Sequence, residues 1–129
     1  MSHPNAELLK RLYSEFSKGN LAGVLNLCGD EITFQIPGKS RLAGKYSKET
    51  FATGLMAKVM EYSGGSFAEE VHDIMATDLH AAVLATHSIT RNGVKSEYRT
   101  CHIWRFKDGK PIAWYEYPRD LYQFDALWT

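Results

Sequence analysis

His102 sits within "TCHIWRF", residues 100–106. Imidazole is the side chain whose ordinary titration spans neutral pH. In an apolar pocket it can donate to a ligand carbonyl or exchange a proton with it. Strand alternation puts His102 and Trp104 on one side, and Cys101, Ile103 and Arg105 on the other. Two carboxylates could complete an acid/base set, Glu116 and Asp120. Burial of Glu116 is expected to raise its pKa, as a general acid/base needs. Asp120 can either line the pocket or cap the terminal helical turn.

Other chemistries are not expected. The chain has five histidines, but His80 and His87 would face opposite ways along one strand, as would His72 and Asp73. No metal-ligand spacing occurs, so no metal is expected. There is no nucleotide-binding glycine motif, so no cofactor is expected, and no serine elbow. Cys101 faces away from the His102 side with no base beside it, which argues against a nucleophile.

These residues must be positioned by the elements around them. "HPNAELLKRLYSEFSKGN" reads as a helix, with Pro4 in its first turn and Leu8, Leu9, Leu12, Tyr13 and Phe16 on one face. Gly19 ends it, and Asn20 caps a short second helix. "EITFQIPG" alternates Ile32, Phe34 and Ile36 as a half-buried strand, and "KSRLAGKY" reads as a loop. A third helix, capped by Ser47, would present Phe51, Leu55 and Val59. Strands follow near 66–76, 80–91, 94–106 and 110–118, then a short apolar tail. Helices first and long antiparallel strands after predict an α+β domain.

Asn92-Gly93 is a strong type I′ turn signal, and that register pairs His87 with Tyr98, Ala85 with Thr100 and Val83 with His102. One face then carries His87, Tyr98, Thr100, His102 and Trp104, aromatic with scattered polar groups, which fits a ligand pocket. The opposite face is more charged and suits solvent or a subunit interface. The next turn leaves two registers open. A two-residue turn at Asp108-Gly109 would bring Tyr115 and Tyr117 to the His102 side; a bulge at Gly109 would bring Trp114 and Glu116 there.

The chain length of 129 residues suits one domain, 1–129. Fifteen basic residues balance 15 acidic ones, which argues against a nucleic-acid partner. No apolar stretch is long enough to span a membrane, and the first residues lack a signal-peptide layout. Two distant cysteines, Cys28 and Cys101, read as reduced thiols of a cytoplasmic protein.

"FQIPGKSRLAGKYSKE", "GGSFAEEVHDIMATDLHAAVL", "TRNGVKSEYRTCHIWRFKDGKPIAWYEY" and "RDLYQFDALW" resemble the SnoaL-like, ketosteroid-isomerase-like branch of the nuclear-transport-factor-two superfamily. The resemblance covers nearly the whole chain. It implies a curved antiparallel sheet wrapped around N-terminal helices, a cystatin-like cone whose pocket takes a small apolar ligand, and a homodimer. Ketosteroid isomerase, a worked case of pKa tuning, pairs a carboxylate base with a tyrosine and a protonated aspartate. By position, the base falls at Ile36, the tyrosine at Leu12 beside Tyr13, and the aspartate at His102. Isoleucine cannot move a proton, so that steroid mechanism is not expected. The resemblance favours Trp114 facing the pocket. Candidate pocket residues are Tyr13, Phe34, Ile36, Phe51, Leu55, Val59, His87, Tyr98, Thr100, Trp104, Trp114 and Asp120, with His102 and Glu116 as the catalytic pair. An isomerase or cyclase is one expectation; a non-catalytic binding or scaffold module is the other.

Overall fold

The computed structural model describes residues 2–129. Helix α1, Pro4–Ser17, starts with the His3 side chain accepting from the Asn5 amide and Pro4 at its first position. Its buried stripe includes Leu9 and Leu12. Helix α2, Leu21–Asn26, is capped by Asn20, whose side chain accepts from the Gly23 amide.

Strand β1, Thr33–Ile36, buries Phe34 and Ile36. The segment read as a loop contains a strand, β2, Gly44–Ser47, paired antiparallel with β1. Tyr46 holds it: its ring is buried and its hydroxyl donates to the Leu42 carbonyl at 2.8 Å. Ser47 ends β2 and exchanges bonds with Thr50 without capping a helix. The third helical segment opens as a π-helical turn, Phe51–Met56, and tightens into α3, Ala57–Ser63. The wide turn buries Phe51, Leu55 and Met56 together, and Val59 follows from α3.

Four long strands complete the sheet: β3 (Ala68–Ala76), β4 (His80–Arg91), β5 (Val94–Lys107) and β6 (Lys110–Pro118). Helix α4, Leu121–Leu127, closes the chain. The strand order is β2-β1-β6-β5-β4-β3. All neighbours are antiparallel except β1 and β6, which run parallel. The expected all-antiparallel sheet therefore carries one parallel seam, because β1 joins the sheet beside the last strand of the chain.

Registers decide which side chains face inward. Asn92 and Gly93 both have positive φ, 53° and 77°, as type I′ requires. The β4–β5 pairs are those expected, His87 with Tyr98, Ala85 with Thr100 and Val83 with His102. The β5–β6 turn combines the two registers left open. Asp108 and Gly109 form a two-residue turn with φ 51° and 77°. The bulge lies further on: Phe106 faces Pro111 and Arg105 faces Ala113, leaving Ile112 as the extra residue. Beyond it, Trp104 opposes Trp114 and His102 opposes Glu116. A second bulge in β3 leaves His72 as the extra residue, since Val71 faces Ala85 and Asp73 faces Leu84. Glu69 and Val71 before it, and Ile74 and Ala76 after it, all oppose inward residues of β4. The core lies between this sheet face and the helices, with Trp104, Trp128 and Phe124 fully enclosed.

Candidate functional site

A cavity opens between the inner sheet face and the helices. Its volume, counted out into the open mouth, is about 620 Å³. Leu12 and Tyr13 of α1, Phe34 and Ile36 of β1, and Phe51, Leu55 and Val59 line it, with Trp104 and Trp114 side by side on the sheet face. Phe34 packs on Phe51 with ring centroids 4.3 Å apart, and Trp114 stands 4.8 Å from the His102 ring.

Six polar side chains break this apolar lining: Tyr13, Glu69, His87, Tyr98, His102 and Glu116. They form two arms. In one, the Tyr13 hydroxyl lies 2.7 Å from His102 Nδ1 and accepts from Trp104 Nε1 at 3.1 Å. His102 Nε2 faces Glu116 Oε2 at 3.3 Å without an aligned hydrogen bond. Thr100 donates to Glu116. In the other arm, His87 Nε2 lies 2.6 Å from Glu69 Oε2 and His87 Nδ1 lies 2.9 Å from the Tyr98 hydroxyl. Tyr98 accepts from Trp128 Nε1 at 3.2 Å. The arms meet where Glu69 Oε2 comes within 4.0 Å of His102 Nδ1 and the two imidazole centroids stand 5.1 Å apart.

The arms are built alike. Each phenol oxygen accepts an indole N–H and sits against an imidazole nitrogen. When that nitrogen carries a proton, the phenol accepts there as well, and its own hydrogen is left for a ligand oxygen. The phenols stay protonated. Burial, then the nearby Glu69 charge, push the Tyr13 pKa well up; burial and Glu116 do the same for Tyr98.

Charge in the cluster is compensated internally. Burial opposes a proton on His87, but Glu116 and Glu69 together outweigh it and raise the His87 pKa above its ordinary value. Burial likewise opposes charge on Glu116, yet His102 and His87 outweigh it and hold the Glu116 carboxyl below the ordinary range. The expected upward shift of Glu116 is thus reversed, because the two imidazoles on its face together outweigh burial.

The shifts set a stability profile. A raised histidine stabilises the fold fully below its unfolded pKa, 6.5, and that contribution fades as pH climbs through the higher folded value. A lowered glutamate stabilises above its unfolded pKa, 4.5, and its contribution fades as pH falls through the lower folded value. Denaturant midpoints measured across pH are expected to peak between about 4.5 and 6.5. His87→Gln should flatten the alkaline limb; an unchanged limb would deny His87 its pairing.

Two expected pocket residues sit elsewhere. Asp120 is exposed, and its carboxylate accepts from the Tyr122 and Gln123 amides as the cap of α4. Thr100 points inward but is spent on Glu116, behind the lining. Leu12, the matched tyrosine position, offers only an apolar wall, and its neighbour Tyr13 supplies the hydroxyl. Glu69 was missed. The alternation Phe67, Glu69, Val71 carries the signal, a carboxylate between two apolar inward positions. Among the described residues, Glu69, His87 and His102 are also a set whose ligand atoms lie within 4.8 Å of one another. Spacing within one strand could not show it, because each residue comes from a different strand.

The α+β fold, a curved six-stranded sheet over helices, thus encloses a mostly apolar cavity with a few convergent polar groups. The profile of the SnoaL-like domain matches residues 9–114, and the chain belongs to that family. A search of curated protein sequences finds no match. Among solved structures, Bal32a, from a soil-derived mobile gene cassette, aligns with TM-score 0.87 at 24% identity, covering 98% of this chain and 97% of that one. A cystatin-like-fold protein from Xanthomonas campestris aligns with TM-score 0.83 at 24% identity over 99% and 98%. TerC, co-crystallised with polyporic acid, aligns with TM-score 0.84 at 21% identity over 97% and 98%. These likenesses establish the fold. No helix among the described residues is long and apolar enough to cross a membrane.

Proposed function

We propose that the protein binds a small, largely apolar, cyclic ligand bearing a carbonyl oxygen and acts on it by cofactor-free acid/base chemistry, as an isomerase or cyclase. The observation that carries this reading is the pair of imidazole-backed phenols set in an apolar cavity. Tyr13, backed by His102, donates to the ligand oxygen as negative charge develops there. Glu69, hydrogen-bonded to His87, accepts the proton released from the ligand. Glu116 serves as the charge partner of His102, which its lowered pKa suits better than the role of base. Trp104 and Trp114, side by side on the sheet face, offer an aromatic surface that suits a flat ligand. TerC, which shares the fold, was co-crystallised with an organic acid, polyporic acid, which is in keeping with this reading.

The test pairs cyclic ketones with analogues lacking the carbonyl, reading affinity by calorimetry. The ketones should bind the wild type about 5- to 150-fold more tightly, since a buried donor left unpaired costs ~1–3 kcal/mol. Tyr13→Phe should erase that preference. Equal affinity for both series in the wild type contradicts the reading.

The same proposal includes a homodimer formed through the outer sheet face. Leu84, Cys101 and Tyr117 form one row across β4, β5 and β6, and Ala82, Ile103 and Tyr115 the next. Leu84 and Tyr117 are exposed, 40% and 56%. Light scattering should give twice the chain mass, falling to the monomer in Tyr117→Glu; a wild-type monomer would refute it. Cys28 and Cys101 are free thiols, which suits a reducing compartment such as the cytoplasm.

A further inference from the structure

The cavity cluster holds two carboxylates, Glu69 and Glu116, against two imidazoles, in a setting where uncompensated charge is costly. Protons on the histidines can supply the balancing charge. A single divalent cation can supply it too. Glu69 Oε2, His87 Nε2 and His102 Nδ1 are the atoms that converge, from β3, β4 and β5. We propose that Glu69, His87 and His102 form a binding site for one divalent transition-metal ion of the Zn²⁺ class.

Three observations carry the proposal beyond proximity. The donor set, two imidazoles and one carboxylate, matches the ligands that such ions take when a position is left open. The far nitrogen of each imidazole faces a polar group that could orient it, hydrogen-bonded already for His87 and adjacent without an aligned bond for His102. His87 Nδ1 lies 2.9 Å from the Tyr98 hydroxyl, and His102 Nε2 lies 3.3 Å from the buried Glu116 carboxylate. Third, all three ligands line the cavity, so the open position would face the space where an organic ligand fits.

The rearrangement required is small. Ligand atoms about 2.0–2.1 Å from a tetrahedral ion stand about 3.3 Å apart. The Glu69–His87 pair must open from 2.6 Å, and the Glu69–His102 pair must close from 4.0 Å. The Tyr13 hydroxyl, 2.7 Å from His102 Nδ1, must yield that nitrogen. The metal-loaded form is therefore exclusive with the form in which His102 backs Tyr13, and the inference goes beyond the acid/base reading without depending on it.

Loading is expected to follow pH. The titratable groups facing the site are Tyr13 from α1, Glu69 from β3, His87 from β4, Tyr98 and His102 from β5, and Glu116 from β6. Both imidazoles must be neutral at their ligating nitrogen, so uptake releases protons and tightens as pH rises.

The experiment titrates the purified full chain with Co²⁺, which reports its coordination by visible absorption, and repeats the titration with Zn²⁺ in competition. Expected are one ion per chain, an absorption typical of four- or five-coordinate Co²⁺, proton release on binding, and displacement by Zn²⁺. Glu69→Gln and His87→Gln should each weaken binding by more than about tenfold; Glu116→Gln, acting through His102, should weaken it about 10- to 100-fold. His80→Asn, on the exposed end of β4, should leave it unchanged. Circular dichroism checks that each variant is folded. If the cavity variants fail to fold, proton release and the Co²⁺ spectrum of the wild type decide. No saturable uptake by the folded wild type, or uptake that survives in Glu69→Gln and His87→Gln, overturns the proposal.

Discussion

Replacing His87 with leucine is expected to destabilise the fold by about 3–5 kcal/mol, the cost of leaving one member of a buried ion pair without its partner. The Glu69 side chain is only 9% exposed, and His87 Nε2, at 2.6 Å, is its closest partner. Leucine cannot donate, so the carboxylate must stay charged in an apolar wall or take a proton. Tyr98 loses its contact to Nδ1 and keeps only the Trp128 indole. The double variant Glu69→Leu/His87→Leu should regain most of the loss, because an apolar pair of similar volume replaces both partners. Urea denaturation of the four proteins in this cycle measures the coupling. Additive losses would show that the two side chains do not act as a pair.

Replacing His102 with glutamine is expected to lower ligand turnover by about 10²–10⁴, the usual worth of a positioned acid/base group. Ligand affinity should change by less than tenfold. Glutamine is close in length and can still hydrogen-bond, so the place beside Trp114 stays filled. Its amide cannot exchange a proton behind Tyr13 as an imidazole can. A merely structural role for His102 predicts a different pattern, loss of stability and affinity with the rate per bound ligand unchanged. Rate and affinity measured side by side on the extracted ligand separate the two, and a binding module has no rate to lose.

Legibility in the sequence followed the range of the determining interactions. The β4–β5 register was readable because Asn92-Gly93 fixes it locally, through two positive φ angles that few other residue pairs accept. The inward set His87, Tyr98, Thr100, His102 and Trp104 followed from that one turn, and all five are buried. The β5–β6 register was only half readable. The turn at Asp108-Gly109 is local, but the bulge at Ile112 is decided across the strand pair, and the two together bring Trp114 and Glu116 inward.

Strand β2 was taken for a loop because its partner is β1, and Tyr46 is its only buried residue. Glu69 escaped because the doublet Glu69-Glu70 does not by itself say which member faces in, and the bulge at His72 cuts the alternation short, leaving only Phe67 and Val71 to mark it. The Glu116 shift was misjudged for a related reason. Burial alone raises a carboxyl; only the three-dimensional meeting of β4, β5 and β6 brings the two imidazoles that lower it. Asp120 was ambiguous because capping and lining both favour an aspartate there, and the exposed start of α4 resolves it as a cap.

The measurement that tests the central claim most directly is native mass spectrometry of the purified protein, followed by solvent extraction of whatever it carries. The account predicts a dimer with a small cyclic carbonyl compound bound, one that returns to the emptied protein and is converted to an isomer of equal mass. A protein that carries nothing, and whose melting is unmoved by steroids, polyketide-like rings and terpenoids, would contradict it and return the imidazole–phenol arms to the role of core packing.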